Sequence, residues 1–285
     1  MKKPNRAFSL IELSIVILII GVLIAAVGQG VDLLQDARLT AARMSTQSSR
    51  VASIKNLIAW FEPTSLESFG GVKMNDGDAV TNWRDINPTN PIKLQTMTEI
   101  APTYKHSCIN DLPCLVFKGS TYLTTTTPSR QSINSRQVSI FAVITDLSST
   151  TDRSFILIND WGVGSFNISI NASRQLTFAM WGAASTASTG LAVKTNVAYI
   201  VSAINDGSAS NIYLNGGSSS GSQSGNTTAA PAQGNVNPFN IGHYNRQEFF
   251  NGYFAELIIY DRALTTKERQ SVEKYLSQKW KIKVS

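Results

Sequence analysis

The sequence predicts an α+β chain: a long N-terminal helix that starts as a transmembrane segment and turns amphipathic, an all-β sandwich, and a short C-terminal helix. Three observations predict it. Twenty residues, Phe8 to Val27, are apolar but for Ser9, Glu12 and Ser14. From Leu57 onward the texture changes to short apolar runs separated by turn residues. Near the end, Thr265-Thr266-Lys267-Glu268 forms a capping box ahead of Val272, Tyr275, Leu276 and Trp280 at helical spacing. A length of 285 residues with 42% hydrophobic content accommodates one small N-terminal element and one sizeable domain.

The first element opens with a basic leader, Met1 to Ala7, carrying Lys2, Lys3 and Arg6. The apolar run behind it is long enough to span a bilayer core of roughly 30 Å as a helix. Three basic residues before it hold the leader on the cytoplasmic side. A carboxylate at Glu12, inside such a run, costs roughly 2.5–3.5 kcal/mol on insertion scales and needs a reason to be there. A cleaved secretory signal would use Ala26-Val27-Gly28 as its small-residue site, but its apolar region is normally only about 7–15 residues and carries no Glu. A plain signal anchor is the other alternative.

Leader charge, small residue, Phe8-Ser9-Leu10-Ile11-Glu12 and apolar run together resemble the N-terminus of a type IV prepilin. The resemblance implies that a prepilin peptidase cuts between Ala7 and Phe8 and N-methylates Phe8. Glu12, then fifth in the mature chain, is implied as the assembly residue, meeting the Phe8 ammonium of a neighbouring subunit. The family most often has Gly where Ala7 stands, and a helix-kinking Pro common in true pilins is missing. Gly28-Gln29-Gly30 is expected to loosen the helix instead.

Behind the apolar run, Leu34, Ala37, Ala41 and Met44 recur at helical spacing, extending one helix to about Val51 with a weak stretch at Ser45–Ser49. Strands are predicted over 138–144, 166–170, 176–181, 198–204, 211–215 and 254–260, with a turn at Asp206-Gly207. Gly216 to Asn237, rich in Gly, Ser, Asn and Ala, reads as a long exposed loop. The predicted organisation is a leader over 1–7, a helical segment over 8–54 with its transmembrane part at 8–28, and a head over 55–285.

Three stretches of the head resemble the laminin-G-like, concanavalin A-like jelly rolls of bacterial surface proteins: Leu57–Phe61 with Val80–Asp85, Pro113–Leu123, and Gly252–Leu264 running into Glu268-Arg269 and Tyr275-Leu276. Ile212–Gly216 matches that family's strand-and-turn motif. The resemblance implies a jelly-roll sandwich. Gly119 and Gly216 sit where tight turns need positive φ. Trp60 and Trp83 read as core residues. Trp161, behind Asn159-Asp160 in a turn-rich stretch, is the candidate for stacking on a sugar ring, with burial as the competing role.

The remaining chemistry is sparse. The formal charge is +6, but removing Lys2, Lys3 and Arg6 leaves 22 basic against 19 acidic residues, and no dense Lys/Arg run follows, so a nucleic-acid partner is not indicated. Cys108 and Cys114 behind an export signal predict a disulfide; with His106 they make an incomplete metal set. Glycan-hydrolysing relatives carry a Glu-x-Asp-x-x-Glu arrangement absent here, and Glu256 stands alone on its apolar strand, so no catalytic pair, no enzyme activity and no cofactor are expected. The expectation is a pilin-like subunit, held in the inner membrane by one pass and then assembled with other subunits into a type IV pilus or pseudopilus. Its head would contact glycans or proteins at the cell surface. A type II secretion pseudopilin and a membrane-tethered glycan hydrolase are the alternatives.

Overall fold

In a computed structural model the described residues are 10–89, 91–96, 100–125, 137–148, 154–159, 166–180, 186–217, 223–224, 239–243 and 248–285. The leader, with Lys2, Lys3, Arg6 and Ala7, lies outside them, as do Phe8 and Trp161. The chain divides between Ala41 and Ala42 into two compact units.

Helix α1 spans Leu10–Ser48 and runs unbroken through Gly28-Gln29-Gly30, where loosening was expected. Its apolar side chains from Leu10 to Ile24 are exposed. Among the described residues no helix is long and apolar enough to cross a membrane; Phe8 and Ser9, the start of the expected span at 8–28, lie outside them. The expected stripe Leu34, Ala37, Ala41 and Met44 is exposed as well; the buried positions at this end of the helix are Ala42 and Thr46.

Among the described residues the head holds sixteen strands and one α-helix. The strands are β1 Leu57–Phe61, β2 Asn82–Arg84, β3 Lys93–Gln95, β4 Thr103–Ile109, β5 Leu112–Phe117, β6 Leu123–Thr125, β7 Val138–Asp146 and β8 Ser154–Asn159. Then follow β9 Phe166–Ile170, β10 Gln175–Met180, β11 Thr186–Ala192, β12 Ala198–Asn205, β13 Ala209–Leu214, β14 Gln223–Ser224, β15 Phe239–Ile241 and β16 Gly252–Tyr260. They form two antiparallel sheets. The first runs β14-β13-β12-β7-β16-β5-β4 with β1 added beside β16, and the second runs β11-β10-β9-β8-β15-β6-β3-β2. Between them lies a core of Phe61, Trp83, Phe117, Ile144, Phe166, Phe178, Phe254 and their neighbours. Trp60 and Trp83 are both buried, as core residues should be. The expected loop at 216–237 lies mostly outside the described residues, and within it Gln223–Ser224 pairs with β13.

The outer face of the first sheet carries a second apolar layer under helix α2, Thr266–Trp280. The predicted capping box is present: the Thr265 hydroxyl accepts from Glu268 N–H while Glu268 accepts from Thr265 N–H. Such a cap contributes about 1 kcal/mol. Arg262 adds a forked pair to Glu268 at 2.6 and 3.0 Å. Val272, Tyr275, Leu276 and Trp280 pack on the sheet, as their spacing requires.

Candidate functional site

The helical segment presents one charged group amid apolar side chains. Glu12 lies in the first described turn of α1 and is exposed, between Leu10, Ile11, Leu13 and Ile15, which are exposed too. An apolar surface of this kind on one helix marks a face that another molecule covers. Ser14 is accommodated by donating to the Ile11 carbonyl at 2.8 Å, as hydroxyls in helices do.

In the head, Cys108 and Cys114 form the predicted disulfide, Cα atoms 5.9 Å apart. It closes a hairpin whose two turn residues, Asn110 and Asp111, take φ of 53° and 55°; Asn and Asp tolerate this region better than other side chains. Beside it lies a groove of about 380 Å³ lined by Asn110, Thr145, Asn196, Tyr253, Trp280 and Lys281 among others. The Lys105 ammonium sits 5.4 Å from the centre of the Tyr253 ring. A half-buried aromatic ring beside two amides, a hydroxyl and a cation offers a stacking face and hydrogen-bonding groups. The groove did not stand out in the sequence, because Asn110, Asn196 and Tyr253 come from separate elements with no shared spacing.

The sequence also hid a buried ionic cluster. By strict alternation Glu256 would point with Phe254 into the core between the sheets. A register shift between Phe254 and Glu256 against β7 re-aims it toward α2. There its Oε1 accepts from Trp60 Nε1 at 2.8 Å and Tyr275 hydroxyl at 2.7 Å, and its Oε2 from Trp280 Nε1 at 2.7 Å. The Lys279 ammonium lies 3.0 Å from Glu256 Oε2 and 2.9 Å from Glu62 Oε2, and all three side chains are fully buried. Glu62 further accepts from Thr64 N–H and Ser65 N–H, each at 2.9 Å, and from the Thr64 hydroxyl. Lys279 also donates to Thr46 Oγ1 at 2.8 Å, which ties the last turns of α1 to α2.

Burial pushes the Glu62 carboxyl up, but the Lys279 charge and the Thr64 donors outweigh it and leave the group below its usual range. Burial pulls Lys279 down, and the charges of Glu256 and Glu62 more than restore it. Tyr275 is pushed well up by burial and by the Glu256 charge, so its hydroxyl stays a donor. A cavity of about 500 Å³ adjoins this cluster, lined by Arg43, Thr46, Trp60, Glu62, Leu66 and Ile86 among others. The two carboxyls are thus brought together around one ammonium, not across an open cleft. Among the described residues no group of three or more His, Cys, Asp or Glu could hold a metal ion.

A two-sheet sandwich whose central strand ends in an Asp-Arg-Ala-Leu turn and a capped helix defines a lectin-type jelly roll. The chain belongs to the concanavalin A-like lectin/glucanases superfamily, whose laminin-G-type model matches residues 117–268. The model for the prokaryotic N-terminal methylation motif matches residues 2–28. No curated protein matches the chain in sequence. Among solved structures it is similar to Trypanosoma rangeli sialidase, with a TM-score of 0.54 and 17% identity over 86% of this chain and 39% of that one. The same enzyme in complex with sialic acid superposes with a TM-score of 0.52 and 18% identity, over 79% and 33%. Botulinum neurotoxin type C, described by its interaction with two ganglioside molecules, gives 0.55 and 13%, over 80% and 52%. The chain therefore spans between a third and about half of these proteins, and the likeness is one of fold.

Proposed function

We propose that this chain is a pilin-like subunit, made as a precursor, whose head displays a glycan- or protein-binding surface. The observation that carries the reading is the methylation motif at residues 2–28, with Glu12 five residues behind the junction of Ala7 and Phe8. Lys2, Lys3 and Arg6 hold the leader in the cytoplasm, a prepilin peptidase removes residues 1–7 and methylates Phe8, and the segment 8–28 anchors the subunit in the inner membrane. Assembly then moves it into a periplasmic or extracellular filament, where Glu12 pairs with the Phe8 ammonium of a neighbour. Both charges are unfavourable alone in lipid and are tolerable as a pair inside a fibre. A pseudopilin of a secretion system would use the same N-terminus. The superfamily of the head and the polar groove at Tyr253 favour a displayed binding module over a piston. Trp161 remains the candidate stacking residue in the head.

Intact mass of the membrane form tests the processing: loss of residues 1–7 and one added methyl are expected. Met1 retained in purified filaments would overturn the pilin reading. Labelling filaments with an antibody to the head separates display on a fibre from a buried piston. Binding to a glycan array with wild type and Tyr253→Ala tests the groove.

A further inference from the structure

The Lys279 cluster is used neither by the assembly motif nor by the polar groove. A buried amine and a buried carboxyl at 2.9 Å, with a second carboxyl at 3.0 Å from the same nitrogen, are the reactants and the proton carrier of a condensation. We propose that Lys279 and Glu62 join through an intramolecular amide, with Glu256 moving the proton, so that the mature head is closed by a covalent side-chain crosslink. The crosslink needs only the folded head and is independent of assembly into a fibre.

The assignment of roles follows from the donors. Glu62 Oε1 accepts from Ser65 N–H and Oε2 from Thr64 N–H, both at 2.9 Å. Fixed backbone donors on a carboxyl polarise it and hold the oxyanion that attack on Cδ creates. Glu256 accepts instead from three side chains, Trp60, Trp280 and the Tyr275 hydroxyl. It lies 3.0 Å from the Lys279 nitrogen, within reach to take a proton and return it.

The step balances as follows. The Lys279 ammonium gives one proton to Glu256, and its freed lone pair attacks Glu62 Cδ. The carbonyl electrons move onto Oε1, held by Ser65 N–H. The tetrahedral centre collapses with the Nζ–Cδ bond retained and the Cδ–Oε2 bond broken. Oε2 takes the proton back from Glu256 and a second one from the nitrogen, and leaves as water. Ammonium and carboxylate thus become amide and water, Glu256 ends as it began, and nothing is oxidised or reduced. The cavity that Glu62 lines gives the water a way out.

Three physical terms favour the reaction over a permanent ion pair. Groups locked in contact react as though present at roughly 10⁵–10⁸ M. Full burial of both side chains slows hydrolysis of the amide. Condensation also removes a buried ion pair whose desolvation is only repaid by ideal geometry. The bond would link positions 217 residues apart, joining the strand that follows α1 to the last turn of α2.

The test is mass spectrometry of the full chain purified in detergent from the cell envelope. Wild type should be lighter than its processed, disulfide-bonded sequence by one water. In a digest the peptides carrying Glu62 and Lys279 should travel as one branched species. Glu256→Gln keeps the shape and one of the two acceptor oxygens but cannot carry the proton; it should show the full mass, linear peptides and an intact disulfide. A wild-type chain of full mass, with a linear Lys279 peptide, overturns the proposal. So does a crosslink that forms equally in Glu256→Gln, which would remove the base. If that variant does not accumulate, the wild-type mass and digest alone decide.

Discussion

Glu12 and Glu256 are both single carboxylates set in apolar sequence, and the two regions of the molecule handle them in opposite ways. Glu256 is fully buried and receives two indole N–H groups, a phenol and an ammonium from its own chain. Glu12 is exposed on a helix whose Leu and Ile side chains are exposed beside it. The head thus satisfies its expensive group by burial among donors, whereas the helical segment carries its carboxylate on the surface among exposed apolar side chains. Under the proposed function, the first region is complete in itself and the second is completed by assembly. Each substitution below should disturb one and spare the other.

The largest effect on the head is expected at Lys279. Lys279→Met leaves Glu62 and Glu256 buried together with neither a cation nor a crosslink, which should cost at least about 3–5 kcal/mol. Thermal unfolding followed by tryptophan fluorescence should show a lower midpoint, with α1 helicity unchanged. A melt equal to wild type would mean that water reaches these carboxyls and that the head is not self-contained. Glu12→Ala should do the reverse. Insertion becomes easier by roughly 2–3 kcal/mol, leader removal survives and the head melts normally, while incorporation into filaments fails. Filament entry at the wild-type level would show that Glu12 is not an assembly residue.

Thr265→Ala removes only the cap of α2 and should cost about 1 kcal/mol, read as a small shift of the same melt. The smallest effect concerns acid. Arg262 and the Thr265 N–H hold the Glu268 carboxyl at about 2, below its usual value. A depressed carboxyl contributes stability that is present above the unfolded value near 4.5 and lost as pH falls toward 2. The pair is largely exposed, so the contribution is small and screened by salt. Asp85 works in the opposite window. Burial raises its carboxyl to about 7 against the pull of the Asn87, Trp60 and Ile92 N–H groups. The folded head therefore binds a proton that the unfolded chain has lost, and this group's contribution declines as pH rises from about 4 through 7. Asp85→Asn should flatten that part of the stability profile, and Arg262→Gln the acid part.

Much of the sandwich was readable because its long strands are apolar runs bounded by turn residues. β7, β9, β12 and β16 fall close to the predicted runs, and β9 also shows the predicted alternation. β3, β6 and β15, of three residues each, are too short to show a period and are defined by their partners. The capping box of α2 and the disulfide were legible because local chemistry decides them. Glu256 was not, because a shift of register turns its side chain to the other face, and no propensity marks that position. Lys279 did leave a trace. It sits four residues after Tyr275 and beside Trp280, on the apolar stripe of α2, where an amine has to find an anion. Glu62 directly follows the buried β1, a position that again places a charge where water is scarce.

One consequence of the strand order concerns time. Among the described residues β1 bonds only to β16, β5 joins the rest of the sheet through β16, and the ribbon led by β7 does the same. A growing chain that has reached Asn251 therefore holds the first sheet as three islands: β1, the pair β4–β5, and the ribbon β7-β12-β13-β14. No local hairpin can substitute for the missing middle, so closure waits for the last strand and then draws together partners distant in sequence. Folds with such long-range pairing close in milliseconds to seconds, slower than helical bundles. A head that stays open until its final strand arrives forms its two-layer core in one late event and not strand by strand.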